Sequence, residues 1–534
     1  MSDPKSLLSI QDLLDTDLLS NLIFTANNLS GDEVLVGLLD HGLFSEKVPP
    51  CFTTKGLAAL SNEWLVDLLG EGHENKLRKE IDSRAHDYIR YEALRDINIP
   101  RHLGIPHPES YVVQALAIKK HWPEIKAHCE KPSPQVSRVY VRHVGGGCIF
   151  EMNYKGSERY QFEEDEIGWM AGAEFLVKAD ISACFPSIYT HSISWALHER
   201  KIAKKKHGLL ELSGNMLDKC TQNTRDRQTN GLLIGPHASN LVSEIILTSI
   251  DCTLQKKGYK SLKRHIDDYD FLATSYDEAL RFLKDLGLAL REYELTINEK
   301  KTRILPLPQP SSENWVRELN RFIFPVDSDI YFSIVRSFLD LALELAQAAG
   351  TSAPLNYAIK MVPIKLNIRA KRLYVGEIIN MALAYPYLVP LLDKYVFERY
   401  SYDGIVGKIS ESLNVVIRLG IRKIYPETII HGLYLALKYK IILQLSVEEL
   451  LEILIIDDCL ATVLLLEYAK LHQLTKVSAA IKKRSTSLKS EEPMMKDKQW
   501  LLFYQTWTET ELRGNGQGFL ADLKKLDFKF VVMP

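Results

Sequence analysis

Apolar positions recur at helical spacing through residues 13–22 and again through 57–69, so the first 95 residues read as mainly helical. Between these runs, Glu46-Lys47-Val48-Pro49-Pro50-Cys51-Phe52 is an extended breaker. The helical period is lost at 99–108, where Pro100, Pro106 and Pro108 fix φ, remove donors and push their predecessors into extended backbone. A helix is expected over 111–122. Two β-like runs follow, 138–143 and 148–154, joined by Gly145-Gly146-Gly147. That triple glycine reads as a flexible hairpin turn rather than a phosphate cradle, because no helix start comes after it.

The next stretch mixes both periods. Phe175-Leu176-Val177-Lys178-Ala179-Asp180 reads as a buried strand ending in a carboxylate, with a helix expected over 187–200 and a long apolar helix over 240–254. Apolar runs at 261–266 and 271–274 flank Asp267-Asp268, which predicts strand, two-residue turn, strand, with both acids at the tip. The Pro-rich segment Leu305-Pro306-Leu307-Pro308-Gln309-Pro310 ends this region. Beyond Trp315 only helical periods remain, at 332–349, 375–384, 405–419, 429–443, 447–455 and 461–471, which predicts an α-solenoid or irregular bundle. Residues 482–498 are polar and read as a mobile loop. The chain thus divides into an N-terminal helical extension (1–95), a mixed region (96–310) and an all-α region (311–534). Its class is α+β.

Composition narrows the setting. A chain of 534 residues that is 46% hydrophobic can build two or three domains with real cores, and a net charge of −2 does not announce a nucleic-acid binder. Positive charge is local instead, in Arg200-Lys201, Lys204-Lys205-Lys206 and His207, and in Lys482-Lys483-Arg484; the first run reads equally as a solvated surface and the second more readily so. Seven scattered cysteines show no CxxC pairing, which points to reduced thiols and a cytoplasmic protein. The N-terminus carries early acids rather than a signal sequence, and the best membrane candidate, 450–466, is broken by Glu452, Asp457 and Asp458. No membrane partner is expected.

The chemistry lies in an ordered set of elements. Asp180 at a strand end can face Asp267 and Asp268 across a sheet, giving three carboxylates that suit a pair of Mg²⁺ ions. Taken singly, Asp180 is equally an N-cap and Asp267-Asp268 a surface turn. Between them lies Gln228-Thr229-Asn230-Gly231-Leu232-Leu233-Ile234-Gly235-Pro236, a Gly-containing loop where a nucleotide or strand could pass close to the backbone. After them, Leu295-Thr296-Ile297-Asn298-Glu299-Lys300-Lys301-Thr302 places lysines behind a short strand, within reach of a triphosphate or leaving pyrophosphate.

In this order the four elements resemble reverse transcriptase motifs A, B, C and D, with Arg101-His102-Leu103-Gly104-Ile105-Pro106-His107-Pro108 resembling the fingers segment ahead of motif A. The resemblance covers about residues 95–305. It implies a right-hand polymerase fingers and palm, with Asp180, Asp267 and Asp268 as catalytic acids and Asp180, Ile181, Asp267 and Asp268 as metal ligands. It implies two Mg²⁺ ions, with Mn²⁺ as a substitute, and dNTPs as substrate. Phe185 falls at the steric-gate position, although packing in the core accounts for it equally. Lys301 matches the motif D lysine better than Lys300. Gly235, Lys178 and Arg159 are further candidates for nucleotide contact.

Two departures stand out. His265 replaces the aromatic that abuts a primer end, and Leu232-Leu233-Ile234-Gly235 replaces Leu-Pro-Gln-Gly, so the amide that orders a templating pair is absent. These variant motifs, with Val48-Pro49-Pro50-Cys51-Phe52, the run from Asn298 to Pro306, Trp315 and a helical C-terminal region, resemble the bacterial abortive-infection reverse transcriptases, the AbiK-like group. That resemblance implies a HEAT-like C-terminal domain, a homo-oligomer and antiphage defence. It also implies template-independent, protein-primed synthesis of single-stranded DNA that stays attached to the protein. Two alternatives stay open: copying of a dedicated noncoding RNA, and a non-catalytic scaffold. Against the scaffold, three carboxylates gathered without metal would repel one another.

Overall fold

The computed structural model describes residues 29–533 apart from 66–78, 80, 96–99, 133–135, 138–139, 146–147, 152–170, 311, 327–328 and 403. Its centre is a four-stranded antiparallel sheet in the order β6-β7-β5-β8, built from β5 (Phe175–Asp180), β6 (Leu262–His265), β7 (Asp268–Ala273) and β8 (Arg303–Pro306). Two antiparallel pairs stand apart from it, β1 (Tyr88–Leu94) with β2 (Pro100–Pro106) and β3 (Tyr140–Gly145) with β4 (Cys148–Glu151).

The central sheet is covered by helices His237–Lys256 and Tyr276–Arg291. The second shows how sequence makes a covering element. Ser275 caps it by accepting from Glu278 N, and its buried residues Ala279, Phe282, Leu286, Ala289 and Leu290 recur at three- and four-residue intervals on one face. That face seats Phe282 flat on Phe271 of β7, with ring centroids 4.3 Å apart. In β5, Leu176, Val177, Ala179 and Asp180 are all buried, leaving only Lys178 exposed between them.

The region after 311 is helical, as its periodicity predicts; helices Phe332–Ala349 and Val447–Ile455 have the expected bounds. It does not stand apart from the rest. Glu427 Oε2 accepts from Leu94 N at 2.6 Å, Thr53 N donates to Phe530 O at 2.9 Å, and Asp497 Oδ2 accepts from Asp87 N at 3.0 Å. Buried Glu427 has its pKa pushed up to about 7, chiefly by burial.

Several expectations need correction. Residues 88–94, inside the stretch read as mainly helical, are strand β1, because alternate side chains of β1 pack inward while β2 supplies its ladder. The Pro-rich segment begins within the sheet: β8 is an edge strand, where Pro306 removes no ladder donor that the sheet needs. The helix expected at 187–200 is broken; Ser192–His198 and Arg200–Lys205 meet at Glu199, whose φ is +63°. Residues 482–498 are not a loop. Helix Thr475–Ser487 buries Val477, Ile481 and Ser485 at four-residue spacing, and Pro493–Asp497 forms a further turn whose Asp497 is buried. Among the described residues, no helix is long and apolar enough to cross a membrane.

Candidate active site

The acids expected to converge do so. Strand pairing sets Asp180, the last residue of β5, directly opposite Asp268, the first residue of β7. Ile181 N then donates to Asp267 O at 3.1 Å, locking the end of β5 to the turn. The two-residue turn itself is Ile266-Asp267 rather than Asp267-Asp268, since His265 pairs with Asp268. Ile266 takes φ +57° there, a left-handed conformation that costs a β-branched residue about 1–2 kcal/mol.

Electrostatics mark the acids as short of positive charge. Asp267 has its pKa raised by burial and by Asp180, and Asp268 is pushed up to about 6 by burial, then by Asp267 and Asp180. Both oxygens of buried Asp180 are occupied by donors: Asn298 Nδ2 at 2.8 Å and Lys301 Nζ at 2.7 Å. The hydrogen bond to Asp180 raises the pKa of Lys301. Lys301 is largely exposed, so its ammonium can swing away. Among the described residues, the three carboxylates do not come within 4.8 Å of one another as a set. Oxygen donors, mutual repulsion and a displaceable lysine fit divalent metal, with Asp180, Asp267 and Asp268 as the residues that would hold it.

Other expected residues are distributed around this centre. Ile181 is buried and bridges Ile297, so its side chain belongs to the core and only its carbonyl could serve a metal. The short strand expected before the lysines is no more than that single bridge. Phe185 is also largely buried, and its carbonyl accepts from Leu232 N at 2.8 Å, tying the turn after β5 to the Gly-containing loop. Gly235 has φ +126°, and a Cβ there would lie 3.3 Å from Ser45. Its neighbour Ile234 accepts from Gly104 N at 3.0 Å, and a Cβ on Gly104 would strike Leu233 at 2.6 Å. The loop is therefore clamped on β2. Lys178 lies two residues before Asp180, on the same face of β5, and its ammonium is 4.0 Å from Asp270. Arg159 lies outside the described residues.

Sequence reasoning missed three participants. Asn298 was visible only as part of a polar run. Arg101 on β2 belongs to the same electrostatic field: burial and Arg95 lower its pKa while Asp267 raises it. Arg264 precedes the acids by three residues yet is fully buried, bound to Glu244 and Asp251 of helix His237–Lys256. In β6, Leu262 and Arg264 are buried while Lys263 and His265 are half-buried, so alternation puts the arginine on the inner face without revealing its partners.

With this geometry in place, residues 146–319 match the family model described as "Reverse transcriptase (RNA-dependent DNA polymerase)". That match covers less than half of the chain. The matched stretch is a domain of nucleotidyltransferase type, that of RNA-directed DNA polymerases, and the parts before 146 and after 319 lie outside the match. No curated protein sequence matches the chain. Among solved structures it is similar to apo telomerase from Candida tropicalis truncated from its C-terminal domain, at 12% identity and TM-score 0.28, over 49% of this chain and 57% of that one. Telomerase from Candida albicans in complex with a fragment of telomeric RNA matches at 11% identity and TM-score 0.27, over 69% and 67%. Apo telomerase from Candida tropicalis matches at 11% and 0.32, over 75% and 77%. The chain thus spans little more than half the length of the first of these.

A second cluster of ligand-type side chains lies far from the acids. His86, His107 and Asp497 are the group of its kind, among the described residues, whose ligand atoms fall within 4.8 Å of one another. The two rings stack at 3.8 Å and 20°, so their lone pairs run side by side instead of converging on one ion. Every ring nitrogen also has a partner. His86 meets Asp497 at 3.2 Å and Glu109 at 3.0 Å; His107 meets Gln517 at 2.8 Å and accepts from Glu109 N at 3.2 Å. With its nitrogens so engaged, the cluster is arranged as a charge clamp, not a metal cage.

Proposed function

We propose that this reverse transcriptase makes single-stranded DNA from dNTPs without copying a template, from a primer hydroxyl of the protein itself, in antiphage defence. The observation that carries the reading is the Gly-containing loop. Where a template-ordering amide would stand is Ile234, half-buried against the core behind buried Leu232 and Leu233, and its carbonyl pins the loop to β2 through Gly104. Apolar packing there offers nothing to read a templating base. The resemblance to the abortive-infection group supports the defence role, the HEAT-like character of the C-terminal helices and a cytoplasmic setting. Exposed Tyr331, Ile364 and Ile368, around the bridge between Ile330 and Leu366, support self-association.

In this reading Asp180 and Asp267 hold the metal and Asp268 braces it. Bound divalent metal would supply Lewis-acid activation of the attacking hydroxyl and charge neutralisation at the leaving pyrophosphate. Lys301, released from Asp180, carries the proton available to that pyrophosphate. Phe185 sets the floor beneath the sugar.

The test is incubation of the purified full-length chain with Mg²⁺ and labelled dNTPs, with no added nucleic acid. Label should stay with the protein after denaturation, and Asp267→Ala with Asp268→Ala should reduce incorporation at least about 1000-fold. Synthesis that persists in the double variant would remove the site assignment. The family description favours a second reading, copying of a noncoding RNA. Product that sequences as cDNA of one defined RNA would establish that reading in place of the first.

A further inference from the structure

We infer that Arg264 is a positioning residue for the metal-binding acids, acting through the backbone of the turn that carries Asp267. The inference rests on the assignment of that turn to metal binding.

A guanidinium has five N–H donors, and all five of Arg264 are engaged. Nε donates to Asp251 at 2.9 Å, Nη2 to Asp251 at 2.8 Å and to Glu244 at 2.8 Å, and Nη1 to Glu244 at 3.0 Å. The remaining Nη1 donor goes to the carbonyl of Ile266 at 3.0 Å. Ile266 is the residue with φ +57°, and it directly precedes Asp267. One side chain therefore fastens a strained peptide of the acid-bearing turn to two carboxylates on a helix.

The helix is itself a fixed reference. Glu244 also accepts from Ser137 Oγ at 2.6 Å, and Asp251 from Tyr269 Oη at 3.0 Å. Arg264 N donates to Val136 O at 2.7 Å, so backbone and side chain are both held. A strained conformation persists only where its surroundings over-determine it. Here the bond from Nη1 to the Ile266 carbonyl is a side-chain contact that does so, and its loss lets the turn relax and moves the Asp267 carboxylate relative to Asp180. Metal sites tolerate displacements of only a few tenths of an ångström in their ligands.

The experiment measures Mn²⁺ binding to the full-length chain by electron paramagnetic resonance, beside incorporation as a function of Mg²⁺. Arg264→Lys keeps the charge but cannot make all five bonds. It should weaken Mn²⁺ binding about tenfold and raise half-saturating Mg²⁺ by a similar factor, with KM for dNTP at saturating metal changed less than about twofold. Adding Ile266→Gly, which makes the left-handed turn inexpensive, should recover most of the lost Mn²⁺ affinity. Tyr269→Phe loosens the same buried network without touching the Ile266 carbonyl and should weaken Mn²⁺ binding clearly less than Arg264→Lys does. Should Arg264→Lys fail to fold, Glu244→Gln, which slackens the brace on Nη1, should weaken Mn²⁺ about threefold. Native Mn²⁺ affinity in a folded Arg264→Lys, no recovery on adding Ile266→Gly, or equal weakening by Tyr269→Phe would each overturn the assignment. Normal Mn²⁺ behaviour of this kind without any DNA synthesis by the native chain would instead count against the proposed function alone.

Discussion

Beneath the acid-bearing turn, Arg264 is buried between Glu244 and Asp251; at the junction with the C-terminal helices, His86 is buried between Asp497 and Glu109. Each cluster sets one cation between two carboxylates, yet they differ in what can dissolve them. Burial works against the charge of Arg264, but Asp251 and Glu244 outweigh it and hold its pKa well above the ordinary value, so no accessible pH removes the cation. Burial likewise works against the charge of His86, and Asp497 and Glu109 bring its pKa up to about 9, a value that ordinary alkali can cross. The geometry that has to stay constant is held by a permanent ion. The joint between regions is held by a titratable one.

The largest test of the contrast removes the permanent cation. Arg264→Met leaves Glu244 and Asp251 buried without a counter-charge, and breaking a buried pair in this way costs about 3–5 kcal/mol. Urea unfolding should show that loss as a shift in midpoint. A loss under about 1 kcal/mol would mean that the buried carboxylates simply take up protons, a course that the raised pKa of Asp251 already leans towards.

The clamp at His86 should respond to pH, and its direction follows from linkage. A histidine whose folded pKa is raised from 6.5 to about 9 contributes stability fully below pH 6.5 and loses it as pH rises through about 9. The shift is worth about 3 kcal/mol for a group this buried. His86→Gln should therefore be destabilised by about that amount at pH 6, with the gap to the native chain closing by pH 10. On the acid side the partners work the other way: Asp497 and Glu109 have lowered pKa values, so their share is present at neutral pH and fades in strong acid. Stacked His107, held down to about 4 by burial and then by His86, also disfavours folding in acid. Arg84, 3.4 Å from Glu109, and Lys498, 3.5 Å from Asp87, also face the cluster. A constant gap from pH 6 to pH 10 would sink the clamp.

How much of this was legible beforehand follows the same divide. Periodicity located the helices after 311 because their stabilisation is one-sided burial, the property that a 3.6-residue period encodes. The three acids were legible as an ordered set, since Asp180 closes β5, Asp267 lies in the turn after β6 and Asp268 opens β7, and strand boundaries can be read. What hid was long-range pairing. Strand β1 looked helical because its ladder is supplied by β2, outside its own run, and residues 482–498 looked like a loop because the partner of Asp497, His86, is 411 residues away. Arg264 hid for a different reason: a buried arginine and an exposed one are the same letter until the carboxylates that neutralise it are known. The one-residue displacement of the turn, from Asp267-Asp268 to Ile266-Asp267, was also out of reach. Turn chemistry argues for glycine or asparagine at a positive φ, and the chain puts isoleucine there.

That isoleucine offers the smallest and sharpest test. Ile266→Ala and Ile266→Gly both delete the same partly buried side chain, so comparing them cancels the packing loss and leaves the backbone. In ordinary helix or strand, alanine is the more stable of the two by about 0.5–1 kcal/mol. At φ +57° the order should invert, with Ile266→Gly more stable than Ile266→Ala by about 1 kcal/mol, read from thermal or urea midpoints. The inversion is expected only while Arg264 still grips the Ile266 carbonyl. In an Arg264→Lys background the turn is free to leave the left-handed region, and the advantage of glycine over alanine should shrink. If alanine is the better residue in both backgrounds, the turn is not held in the conformation on which Asp267 depends, and the permanent cluster has no geometry to protect.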